Sequence, residues 1–327
     1  MKLVSKIALV LFILFLAGTM PSLEPSRRMV AEAAAIDFEN GVYVVSAYGV
    51  TDFGEGGMKG RLCISSGTTP QEAVDNFVFT EGKDLFLKQC KLLLIGPGAA
   101  ARMEELLDFF SSTRDLNYFA RVALTQGTAA ELLDFGEDGA SIDDLYYLTE
   151  KQKKDEETYE NRMVDLLKQG LRTPSAFMLP VLSDGVVSGV SAFYSGRAAA
   201  FFSSEQYRLA ELLLGLSSAQ QLVLNGENAE ITRCEQALSV RYGDGALQTE
   251  SSLRLVFSGT DAQRAALEQQ LGQIGKTLAE VGALPVDLTF KMTDYSNWKA
   301  LRDRGQTPEV TYRLQVSYKS EGDPTAE

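Results

Sequence analysis

Ile7 to Gly18 is an unbroken apolar run of twelve residues behind Lys2 and Lys6. At 1.5 Å rise per residue it spans about 18 Å, short of the roughly 30 Å of a hydrocarbon core, so it reads as the apolar region of a signal peptide rather than a full membrane span. Pro21 to Arg28 follows as a polar, proline-containing tether. Beyond it the pattern turns strand-like. Met29 to Phe38 and Gly41 to Val50 flank Glu39-Asn40-Gly41, and Asn-Gly between β-rich runs predicts a hairpin. Met58 to Ser65 is a third strand candidate. Thr68-Thr69-Pro70-Gln71-Glu72 predicts a helix start, with Thr69 as N-cap, Pro70 in the first turn and Glu72 closing a capping box.

Strand and helix patterns then alternate. Lys91 to Ile95 predicts a buried strand, Gly96-Pro97-Gly98 a turn, and Ala99 to Phe110 a helix; Asn117 to Leu124 returns as strand and Thr128 to Leu133 as a short helix. This alternation after an opening hairpin argues for a mixed α/β domain. Gly136 to Ser141 is a plausible hinge, and Lys151 to Leu171 a charged helix with Tyr159, Met163, Leu166, Leu167 and Gly170 at helical spacing. Met178 to Leu182 and Val186 to Tyr194 predict a strand pair around Ser183-Asp184-Gly185. Ser203 caps a helix over 205–215 with a leucine stripe. Strands are expected at 221–225, 237–241, 252–257, 285–292 and 309–318, and a long helix over 261–282.

Composition narrows the class. The 327 residues are 45% hydrophobic and 23% charged, values of an ordinary folded chain of two or three domains. A net charge of −13 argues against nucleic acid and against purely electrostatic docking on anionic lipid. There is no histidine, which removes Ser-His-Asp and Cys-His catalysis and the usual zinc sites. Cys63, Cys90 and Cys234 sit in apolar, strand-like contexts and read as free buried thiols rather than a disulfide framework.

The candidate chemistry is thin. Gly96-Pro97-Gly98-Ala99-Ala100-Ala101 fits the dinucleotide fingerprint, with Asp115 about twenty positions on. Pro97 removes an amide from the loop, however, and Asp115 precedes the next strand instead of ending it. A tight strand-to-helix turn is therefore expected, and no cofactor. Gly189-Val190-Ser191-Ala192-Phe193 lacks the last glycine of a nucleophile elbow. Glu104, Glu105 and Asp108 read as a solvated helix surface, and Phe109, Phe110, Phe201, Phe202 and Trp298 as core. No catalytic residue, metal site or cofactor-binding residue is assigned.

The order of segments carries more than any single motif. Ala33-Ala34-Ala35-Ile36-Asp37 with the hairpin strand Gly41 to Ser46, the helix start Gly67 to Ala73, Lys91 to Gly96 with Leu106 to Phe110, Arg114, Arg121-Val122-Ala123 and Gly127 to Leu133 follow one another. Leu179-Pro180, Gly189, Ala192-Phe193-Tyr194, Ser204-Glu205 and finally Asp294 and Trp298 complete the series. Together they resemble the Ger(x)C family, the C subunits of bacterial spore germinant receptors. Leu16-Ala17-Gly18-Thr19 resembles the family's lipoprotein cleavage box, with threonine in place of the acceptor cysteine. Gly96-Pro97 replaces a Gly-Glu pair, and the region after Asp294 is shortened.

The resemblance implies an α/β (α+β) protein of three small domains with mixed β-sheets and packed helices. The expected division is a signal or anchor over 1–19, a tether over 20–28, an N-terminal domain over 29–140, a middle segment over 141–203 and a C-terminal domain over 204–327. It also implies a non-enzymatic, exported subunit at the outer face of the inner spore membrane, acting with polytopic receptor subunits in nutrient-triggered germination. A threonine hydroxyl is a far weaker nucleophile than a thiol. Lipid attachment is therefore expected to be lost, leaving either an uncut apolar anchor or cleavage after Thr19. The alternative reading is a secreted or tethered solute-binding protein, which predicts two similar lobes around a cleft.

Overall fold

Asn40 and Gly41 reverse the chain with positive φ angles of 51° and 85°, the geometry that matches the twist of paired strands. In a computed structural model, strands β1 (Arg28–Glu39) and β2 (Val42–Asp52) accordingly pair antiparallel from Glu39↔Val42 to Val30↔Val50. The structure describes residues 28–52, 59–134, 141–149, 161–170, 176–194, 196–215, 217–243, 246–280 and 309–319. The expectations for the signal, Thr19, most of the hinge at 136–141, the first half of the 151–171 helix, the strand at 285–292 and Trp298 lie outside those residues.

Strand β3 (Lys59–Gly67) adds to β2, and helices α1 (Pro70–Asp75) and α2 (Phe77–Glu81) lead to β4 (Asp84–Phe86) and β5 (Leu92–Ile95), both parallel to β1. Thr69 caps α1 as expected, its hydroxyl accepting the Glu72 N–H at 3.1 Å. The reciprocal bond is displaced by one residue, since the Glu72 carboxylate accepts the N–H of Thr68, at 2.7 Å. The helix expected over 99–110 is two pieces, α3 (Pro97–Ala100) and α4 (Met103–Ser112). The break falls at Arg102, whose backbone leaves the helical region and whose guanidinium lies 4.0 Å over the Phe38 ring. Strand β6 (Arg121–Thr125) is shorter than expected. Asn117 spends its side chain on the Cys90 carbonyl and the Phe119 N–H, forming a turn.

Helices α5 (Ile142–Thr149), which the sequence pattern did not suggest, and α6 (Met163–Gly170) precede β7 (Ala176–Ser183), β8 (Val186–Tyr194) and β9 (Arg197–Ser203). Strand β7 is parallel to β6, and β7–β8–β9 is an antiparallel meander. The sheet therefore runs β3-β2-β1-β5-β6-β7-β8-β9, with β4 beside β1. Residues on both sides of position 140 share it.

Both faces of the central strands are covered, so β5 reads Leu-Leu-Leu-Ile without alternation. Leu93 and Ile95 face the core with α1, α4 and α6, whereas Leu92 and Leu94 face Leu133 and the α5 residues Ile142 and Leu145. A one-residue slip between Ala31 and Ala33 changes parity along β1. Met29 and Ala31 share a core with Ala34 and Ile36, while Ala33 and Ala35 face the other layer.

Ser203 forms a full capping box with Gln206 at the start of α7 (Ser204–Leu214). Strands β10 (Gln220–Leu224), β11 (Glu227–Gly243), β12 (Ala246–Ser258) and β13 (Glu309–Lys319) make a second sheet in that order. The expected strands at 237–241 and 252–257 are parts of a long hairpin, paired from Glu230↔Ser258 to Gly243↔Ala246. Helix α8 (Asp261–Glu280) covers one face. Leu267, Leu271 and Leu278 are fully buried against Leu253, Leu255 and Phe257, each worth about 1.5–3 kcal/mol. Val190 and Ala192 of β8 and Phe202 of β9 join the same core, so α7 is packed between the two sheets. Among the described residues the two sheets differ in strand number and order.

Candidate functional site at the strand ends

In a sheet with parallel strands, ligands gather where the strands end. Here β1, β5, β6 and β7 run parallel and end at Glu39, Ile95, Thr125 and Ser183. Asp37, 3% exposed, lies at this end. Its Oδ1 accepts the Ala129 N–H at 2.9 Å and its Oδ2 the Ala130 N–H at 3.1 Å. Those amides open the 3₁₀ turn Ala129–Leu133, a place where free amides attract an anion. The chain fills that place with its own carboxylate. Burial pushes the Asp37 carboxyl above its ordinary range, and the two amides pull the other way without cancelling the shift.

The glycine turn closes on the same group. The Gly96 N–H donates to the Ile36 carbonyl at 2.9 Å, and a Cβ on Gly96 would collide with the Asp37 carboxylate. A Cβ on Gly98 would collide with the Phe38 carbonyl. Both glycines thus serve close approach of β1 to the turn rather than a phosphate cradle. Asp115 is at the other end of the strands, paired with Lys88 at 2.9 Å, where it cannot reach a ribose above the glycine turn. The Gln126 N–H donates to the Leu182 carbonyl and the Thr125 hydroxyl to the Gly127 carbonyl, tying the remaining strand ends together.

The acidic residue with a partner on α4 is Glu105. Its Oε2 accepts the Tyr43 hydroxyl at 2.6 Å and its Oε1 accepts from Arg102 at 2.7 Å. The bond from Tyr43, then that from Arg102, holds the Glu105 carboxyl below its usual range, and desolvation pushes the Tyr43 hydroxyl above its own. Glu104 and Asp108 are exposed, as expected. Ser191 is a strand residue whose hydroxyl donates to the Ala200 carbonyl at 3.4 Å. Phe109, Phe110 and Phe202 are buried, but Phe201 is 49% exposed, a departure from its expected core position. Strand alternation explains it, because Phe202 takes the inward side of β9.

The three cysteines are free. Burial pushes the Cys90 thiol up to about 12, and the half-buried Cys234 up to about 11, so neither is a ready nucleophile. Among the described residues no group of three or more His, Cys, Asp or Glu is placed to hold a metal ion. No helix among them is long and apolar enough to cross a membrane.

Two buried polar links escaped sequence reasoning. Asn161 joins Arg121 (2.9 Å), the Val122 carbonyl and the Thr149 carbonyl, and Tyr43 reaches Glu105 across 62 residues. Asp37 had a visible signal, a charge ending the apolar run Ala33 to Ile36; the other two had none.

The sequence profile of the spore germination protein N-terminal domain matches residues 22–184. No curated protein matches the chain. The fold is similar to the crystal structure of the GerBC protein, with a TM-score of 0.53 and 12% sequence identity, over 88% of this chain and 96% of that one.

Proposed function

The chain belongs to the Ger(x)C family of spore germination proteins, and from that premise we propose that it is the non-catalytic C subunit of a spore germinant receptor. In this reading it is exported, stays at the outer face of the inner spore membrane, and assembles with polytopic receptor subunits in nutrient-triggered germination. The observation that carries the proposal is the family match over residues 22–184. The strand ends support it physically, because the place where an α/β protein takes a small ligand is filled by Asp37, Gly96 and Gly98. The chain then acts through its surfaces, as a rigid body that biases the conformations of its partners.

Affinity purification of the full chain from detergent-solubilised spore membranes tests the assembly. Co-purification of a polytopic subunit is expected; its consistent absence, with nutrient-triggered germination unchanged in a strain lacking the chain, rejects the role. The division at residues 140 and 203 belongs to the same proposal. Because β6 and β7 pair across position 140, limited proteolysis should nick the chain near those positions with the fragments staying associated, and cleavage only elsewhere would reject that division.

A further inference from the structure

We propose that the amino-terminal end of the parallel strands is the face that rests on the lipid bilayer, with exposed aromatic side chains entering its interfacial layer. The inference rests on the membrane-associated reading above and adds the orientation.

Five aromatic residues are among the large hydrophobic side chains left exposed within the described residues, and four of them are at this one end. Phe79 is 85% exposed, Phe119 70%, Tyr147 64% and Tyr118 39%; the fifth, Phe201, lies along β9. Register places the four together. Helix α2, carrying Phe79, ends at Glu81, which pairs with Arg61 near the start of β3, and β4 then begins at Asp84 opposite Arg28. Tyr118 and Phe119 lie between Leu116, bridged to Leu87, and Arg121, the first residue of β6. Tyr147 follows Tyr146, over which the Arg121 guanidinium sits at 5.8 Å, on a helix tied to Lys91 just ahead of β5 by Asp143 at 3.2 Å.

The chain's own connectivity chooses the occupant. Arg28, the first residue of β1, is at this end, and the apolar run ends at Gly18. Eight residues separate Thr19 from Arg28, a reach of at most about 30 Å. An anchored Ile7 to Gly18 segment therefore holds this end near the bilayer, and aromatic rings are the side chains that partition to the interface. Charge agrees. The chain as a whole carries −13, but at this end Glu81, Asp115 and Asp143 each sit against a cation, Arg61, Lys88 and Lys91, which weakens their repulsion of an anionic surface.

The test uses the full chain reconstituted with phosphatidylethanolamine–phosphatidylglycerol vesicles whose acyl chains are brominated. Phe79→Trp, Phe119→Trp and Val186→Trp variants are each compared with the unsubstituted chain, whose Trp298 sets the background. Val186 is 57% exposed at the β7–β8 turn, at the opposite end of the strands. The added emission from the Phe79→Trp and Phe119→Trp variants should be largely lost to bromine quenching, and that of Val186→Trp retained. Equal emission from all three while the chain still floats with the vesicles overturns the orientation and leaves the membrane association standing. Failure to float overturns both. Protection of positions 79 and 119 only when polytopic subunits are co-reconstituted, without bromine quenching, also overturns the proposal and assigns the patch to a protein partner.

Discussion

Asp37 offers the sharpest separation of architecture from ligand binding, through its replacement by alanine. Asp37 is 3% exposed and Ala129 is buried, so the Ala129 amide, now held at 2.9 Å, is left unsatisfied, and the half-buried Ala130 amide loses its 3.1 Å bond. Each unsatisfied buried donor costs about 1–3 kcal/mol. Part of this is offset, because burial already penalises the charged form and raises the carboxyl above its ordinary value of 3.8. The net loss expected is about 2–4 kcal/mol for Asp37→Ala and about half that for Asp37→Asn, whose single oxygen still accepts one amide.

Denaturant unfolding followed by circular dichroism, with hydrogen exchange at Ala129 and Ala130, measures both quantities. The sign with pH also follows. A raised native pKa means the folded state binds more protons than the unfolded chain. Stability from this group therefore falls as pH rises from 3.8 toward the native value, a slope that Asp37→Ala removes. An unchanged unfolding midpoint with unchanged amide protection would refute the structural role, and loss of a ligand response at wild-type stability would make Asp37 a binding group.

Other outcomes follow from single contacts. Gly272→Ala has open space around it and should stabilise α8 by up to about 1 kcal/mol, whereas Gly275→Ala drives a methyl into the Tyr312 ring of β13 and should lower the unfolding midpoint; equal effects would mean that Gly275 does not lie against Tyr312. Tyr43→Phe removes the 2.6 Å bond to Glu105, costing about 1–3 kcal/mol near neutral pH. Because that carboxyl is held below its usual range, its contribution is present above its unfolded pKa and fades as pH falls through the native one; the variant should show a flatter acid limb in pH-dependent melting. Native protein should react slowly with a thiol reagent at pH 8, with Cys234 ahead of Cys63 and Cys90, and all three should react once it is unfolded. Rapid labelling of Cys90 in the native state would contradict its burial.

Local rules carried the reading where the responsible residues are neighbours in sequence. Asn40-Gly41, Asp184-Gly185, Thr69 with Pro70, and Ser203 each made the turn or cap expected of them. The α/β class followed from alternating strand and helix patterns. The reading faltered where a distant group decides. Arg102, where the expected helix breaks, sets its guanidinium over the distant Phe38 ring, and the bulge beside Glu32 changes which alanines of β1 meet which layer. Strand β9 is not legible in the sequence because Arg197 to Ser203 has polar ends and is defined by its pairing with β8.

The glycine turn marks the boundary between the two kinds of information. By itself the sequence established that Gly96-Pro97-Gly98 joins a buried strand to a helix, that no histidine is present, and that the order of segments resembles that of the spore germination family. Only the tertiary structure decided what the glycines face. Asp37, 59 positions before Gly96, arrives there because β1 pairs with β5, and its carboxylate takes the amides that an anion would have used. Likewise each exposed aromatic residue is an ordinary surface residue in the sequence. The strand register gathers four of them at the end where the tether enters, because parallel strands bring together chain segments that no local pattern relates.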